Sequence, residues 1–75
     1  MVEGLTVILK NNLKVLRAKN DLTQEESAPK VNVTRVTINS IERGQWMPST
    51  ALAIRIAKIF RVSVEAVFFR KTRFL

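Results

Sequence analysis

Residues 24–39 read QEESAPKVNVTRVTIN, and the fold turns on whether they make a strand, one broken helix or two helices around a turn. Thr23 followed three residues later by Glu26 is a capping box: the hydroxyl accepts from the backbone N–H of residue 26, and the carboxylate reaches back. A helix therefore starts at residue 24. Thr34 can cap a second helix, in which the apolar Ile38 and Ile41 stand three apart. A strand would collect its apolar side chains on one parity, yet Val31 and Val33 oppose Val36 and Ile38. Between the two helices lies VNV, and Asn32 tolerates the left-handed conformation of a tight turn. Helix, turn, helix is the better parse.

Outward from that stretch, Leu9, Leu13 and Leu16 recur at spacings of four and three, one face of a helix that Asn20-Asp21 closes. Over residues 49–60, Leu52, Ala53, Ile56, Ala57 and Phe60 form an unbroken apolar stripe, preceded by Pro48 and a capping Ser49. Ser63 caps a last short helix, with Glu65 in its first turn where a negative charge suits the dipole. The sum is an all-α chain of four or five short helices. Residues 2–9 read as a strand, an arm or an early turn of the first helix, and FFRKTRFL (68–75) mixes aromatics with three positive charges. The two ends can pair as a small sheet.

Seventy-five residues make one small domain, near the lower limit for a self-sufficient core. Cysteine and histidine are absent, which excludes disulfides, thiolate catalysis and the usual zinc sites. The six acidic residues are scattered, so no metal cluster or other cofactor site is expected, and no small-molecule ligand is evident. Without a basic start and apolar core after Met1, and with LTVIL (5–9) too short to cross a bilayer, a cytoplasmic protein without a membrane segment is expected. A net charge of +7 and a pI near 11.0 point to a polyanionic partner.

LTQEESAPKVNVTRVTINSIERGQWMPS (22–49) resembles the helix-turn-helix core of the phage-repressor and Cro-like DNA-binding family. The resemblance runs from about Asn12 to Phe68. It rests on Leu16-Arg17, Thr23-Gln24-Glu25, the small Ala28, Val33 after the turn, the pair Ile38 and Ile41, IERG (41–44), PS (48–49), and FRVS followed by VEAVF (60–68). It implies a lambda-repressor-like DNA-binding domain over residues 1–75, with the helix-turn-helix at about 24–43 and terminal extensions at 1–8 and 70–75. Three residues depart from the family pattern. Ser27 stands where the family has an apolar residue, Asn32 replaces a glycine, and Pro29 lies beyond the first turn of its helix. An interior proline costs roughly 3 kcal/mol, so the second helix is expected to be kinked, shortened or partly mobile.

The resemblance implies that the helix starting near Thr34 lies in the major groove of double-stranded DNA. Thr34, Arg35, Val36, Asn39 and Ser40 would face the bases. Arg35 suits the two acceptors of guanine, Asn39 can pair bidentately with adenine or bind phosphate, and Val36 can touch a thymine methyl. Phosphate contacts would come from Gln24, Thr37, Arg43, Gln45 and Trp46, with packing over the end of the helix as the other role open to Trp46. Arg17 and Glu42 match a pair the family joins across two helices, a structural ion pair. Ile54, Ile59, Val67, Phe68, Phe69, Phe74 and Leu75 exceed what so small a core needs; core or tail packing is open to some of them, and as a set they are candidates for a homodimer face. The function expected is a repressor-like, sequence-specific transcriptional regulator, associated with the nucleoid and binding a pseudo-palindromic operator. The alternative is a protein-interaction module, such as an antitoxin-like partner, in which DNA binding is secondary. An enzyme is not expected, because without His or Cys no acid–base constellation remains.

Overall fold

Hydroxyl side chains open four of the five helices found among the described residues. The computed structural model describes the backbone of residues 5–74 and the side chains of residues 10–70. Along it run β1 (Leu5–Asn11), α1 (Leu13–Lys19), α2 (Gln24–Lys30), α3 (Arg35–Glu42), α4 (Thr50–Phe60), α5 (Val64–Val67) and β2 (Phe68–Phe74). Thr23, Thr34, Ser49 and Ser63 each accept from the backbone N–H three residues on, which satisfies a donor that has no partner inside the helix. At Thr23 the box is reciprocal, with Thr23 N–H donating to Glu26 Oε1 at 2.9 Å. The backbone and then the hydroxyl of Thr23 hold the Glu26 carboxyl below its ordinary pKa. That cap therefore stabilises the fold above the ordinary carboxylate range and fades as the pH falls through the lowered value.

The first four helices close alike. Asp21, Asn32, Gly44 and Arg61 take left-handed φ values of 53, 61, 73 and 56°. The next residue in each case (Leu22, Val33, Gln45 and Val62) returns its N–H to a carbonyl five residues back, at 2.9 to 3.0 Å. Leu22, Val33 and Val62 then pack on the core, so three of the four stop signals also bury part of an apolar side chain.

Pro29 is accommodated by this closing turn. α2 ends at Lys30, one residue beyond the proline, which is itself exposed. Its missing N–H forfeits one bond in the last turn, while its carbonyl accepts from Asn32 N–H at 3.2 Å. The helix is short rather than broken midway. Pro29→Ala is accordingly expected to change stability by less than about 1 kcal/mol in urea unfolding. A gain near 3 kcal/mol would instead mark an interior strained by the ring. Ser27 is 2 % exposed, and its hydroxyl donates to Gln24 O at 3.2 Å, so the polar group enters the core already satisfied.

Two expectations are corrected. Leu9 belongs to β1 and not to a helix face, because the strand runs to Asn11 in antiparallel register with β2, from Leu5↔Phe74 to Asn11↔Phe68. Asn11 makes the break: its Oδ1 accepts from Leu13 N–H at 3.2 Å, and Asn12 N–H donates to Val67 O at 2.9 Å. Val67, a candidate for an intersubunit face, is 0 % exposed and lies in the core with Leu13, Ala28, Val31, Ile38, Ile41, Leu52, Ile56, Ala57 and Phe60. One-turn α5 packs on α4, so its inward side chain is needed at home. Phe68 likewise packs partly buried against this core. No helix among the described residues is long and apolar enough to cross a membrane.

Candidate nucleic-acid interface

α3 has an inner and an outer side. Ile38 and Ile41 are each 1 % exposed and seat the helix on the core, while Arg35 and Val36 stand exposed on its first turn. Thr34 sits just before them as the cap, its Oγ1 accepting from Thr37 N–H at 3.3 Å and lying 3.1 Å from Thr37 Oγ1. Thr37, Asn39 and Ser40 are half-buried along the flank. Arg43, Gln45 and Trp46 follow the helix on an exposed turn, where Gly44 supplies the positive φ. This is the form of a helix held from behind and presented from the front.

What holds it is a polar cluster across three helices. Arg17 of α1 donates Nε and Nη2 to the two carboxylate oxygens of Glu42 at 2.5 and 2.9 Å, and Nη1 to Leu22 O at 2.8 Å. The two side chains are only 13 and 6 % exposed. The hydrogen bond to Glu42 raises the Arg17 pKa against the opposing effect of burial. Gln24, at the start of α2, adds its amide nitrogen: Nε2 donates to Glu42 Oε1 at 3.1 Å and to Asn39 Oδ1 at 3.2 Å. Its carboxamide is thus directed into the cluster rather than outward to phosphate.

One tie escaped sequence reasoning. Asn11 Nδ2 donates to Ile41 O at 2.9 Å, pinning the last turn of α3 to the end of β1 across thirty residues of sequence. An asparagine just before a helix reads only as a cap, and nothing local points to the distant carbonyl. Similarly, Arg55 Nε donates to Val31 O at 3.2 Å and braces the turn between α2 and α3.

The charge is largely unbalanced. Among the described residues one ion pair forms, Arg17 with Glu42, so Arg35, Arg43 and the other exposed cations carry no acidic partner there. Also among them, no group of His, Cys, Asp and Glu could hold a metal ion. Of the apolar surface candidates, Ile54 and Ile59 are 40 % exposed and Phe69 is 37 %. The side chain of Phe74 and the whole of Leu75 lie outside the described residues.

Residues 13–67 match the family described as helix-turn-helix. An uncharacterized HTH-type transcriptional regulator of Methanocaldococcus jannaschii is 50 % identical over 60 residues, covering 80 % of this chain and 91 % of that protein. The HTH-type regulator YgzD of Bacillus subtilis, also uncharacterized, is 43 % identical over 60 residues, with the same two coverages of 80 and 91 %. The solution structure of the SOS-response transcriptional repressor LexA from Eubacterium rectale superposes with a TM-score of 0.69 at 27 % identity, covering 73 % of this chain and 58 % of that one. The chain belongs to the helix-turn-helix family of DNA-binding regulators. Members of that family are not enzymes.

Proposed function

We propose that this chain is a sequence-specific, repressor-like transcriptional regulator that binds double-stranded DNA in the cytoplasm. It places the first half of α3 in the major groove. The observation that carries this reading is the two-sided α3: isoleucines at 1 % exposure beneath, Arg35 and Val36 free above, and a bidentate ion pair fixing the helix from behind. Thr34, Arg35, Val36, Asn39 and Ser40 are the base-facing set. Thr37, Arg43, Gln45 and Trp46 are the phosphate-facing set, and Trp46, 46 % exposed, has surface free for that role. Gln24 is reassigned from phosphate to the support of α3, because its donor nitrogen is already used.

A homodimer on a pseudo-palindromic site completes the proposal. An apolar groove of 340 Å³, lined by Met47, Pro48, Ala53, Ile54, Val64 and Phe68 among others, supports it as a place for the second copy. Ile59 and Phe69 are further exposed apolar candidates. Two copies would set their reading helices about 34 Å apart on one side of the duplex. The same groove would equally seat a different protein, the antitoxin-like alternative; a tight heteromeric complex with no preferred DNA sequence would favour that reading.

Selection of bound sequences from random DNA, with stoichiometry measured on the winner, tests the proposal. A half-site repeated at one helical turn is expected, with affinity falling steeply as salt rises. Arg35→Ala should then lose about 1–3 kcal/mol of discrimination at one base pair. Arg43→Ala should weaken every sequence alike. Uniform weakening by Arg35→Ala would move that residue to the phosphates.

A further inference from the structure

The hydrogen bonds behind α3 impose a direction on its front. Glu42, paired with Arg17, has a carboxylate that can only accept, so the Gln24 carboxamide must turn its nitrogen toward it. That nitrogen also meets Asn39, at 3.2 Å, and therefore meets the Asn39 oxygen. Asn39 thereby turns its Oδ1 to Gln24. Its Nδ2 has no partner among the described residues, and no side-chain nitrogen or oxygen there is buried without one, so Nδ2 reaches solvent.

We infer that Gln24 is a positioning residue that fixes Asn39 as an outward hydrogen-bond donor, so that the base pair beneath Asn39 is chosen for an acceptor edge. This rests on the reading of α3 as the helix in the major groove. Acceptors in that groove are N7 and O6 of guanine, O4 of thymine and N7 of adenine. Cytosine, which offers only an amine, is disfavoured there. A guanine, thymine or adenine is selected, and the orientation is relayed from Arg17 through Glu42 and Gln24, side chains from three helices.

The test compares sequences selected from random DNA by the wild type, Gln24→Ala, Asn39→Ala and the double variant, each checked for folding by thermal melting. Asn39→Ala should lose about ten-fold preference at one base pair, Gln24→Ala should relax that same pair to a similar degree, and the double variant should lose no more there. Asn39→Asp keeps the oxygen that Gln24 holds and replaces the outward donor with an acceptor. It should lose the acceptor-bearing base at that pair, and it stands in should Asn39→Ala not fold. Equal weakening on all sequences by Gln24→Ala, with the Asn39-dependent pair intact, overturns the inference. So does an Asn39-dependent cytosine, whose amine needs an acceptor from Asn39 where Gln24 would leave a donor. If Asn39→Ala and Asn39→Asp leave every position unchanged, the inference also fails. Absence of any enriched sequence with the wild type refutes the DNA-reading proposal itself, before any variant is compared.

Discussion

Replacing Arg17 with methionine is expected to destabilise the fold by about 3 kcal/mol, at the low end of the 3–5 kcal/mol typical of breaking a buried pair from one side. Three hydrogen bonds disappear at once, and Glu42 is left with 6 % of its side chain exposed to solvate an unpaired carboxylate. For a chain of this length, total stability is expected to be about 4–11 kcal/mol, so the loss is a large share. The companion measurement is Arg17→Met with Glu42→Leu. Removing both charges removes the stranded carboxylate, so the double variant should recover most of the loss in urea unfolding. If the single variant costs under 1 kcal/mol, the pair behaves as an exposed one and contributes little to holding α3.

Ile56→Ala should cost a similar amount, about 3–4 kcal/mol, for a different reason. Ile56 is 0 % exposed in the middle of the α4 stripe, with Leu52 and Phe60 of the same helix also in the core. Truncation there loses transfer free energy and leaves a void that the helices can fill only partly. Ile56→Val, which removes one methylene, should cost about 0.5–1.5 kcal/mol. Ile54, two residues away and 40 % exposed, provides the contrast. Ile54→Ala should leave monomer unfolding within about 0.5 kcal/mol while weakening self-association measured by sedimentation. A large stability loss at Ile54, or a negligible one at Ile56, would mean that the inner and outer sides of α4 are misassigned.

What was legible in the sequence was chiefly local. The capping box at Thr23 and Glu26, the hydroxyl caps at Thr34, Ser49 and Ser63, and the left-handed Asn32 each depend on neighbours within three or four residues, and each stands where the spacing put it. The stripe through Leu52, Ile56, Ala57 and Phe60 is legible for the same reason. Leu9 was misplaced because its spacing to Leu13 fits a helix, whereas its actual partner, Arg70, lies at the other end of the chain. Val67 was misplaced because apolar residues beyond a presumed core quota look the same whether they face inward or outward. In the candidate interface, the outer residues of α3 follow from helical periodicity. The inward turn of the Gln24 carboxamide does not, since it depends on which atom Glu42 offers across two helices.

The ribbon of β1 and β2 sets an order of events at the ribosome. The helices between them find most of their partners nearby, whereas Leu5 waits for Phe74. Synthesis is sequential, so β1 emerges before the strand it pairs with. Through that interval the segment LTVILKN carries unpaired backbone donors and acceptors of the kind that recruit foreign strands. The nascent β1 is exposed to mispairing until β2 is made.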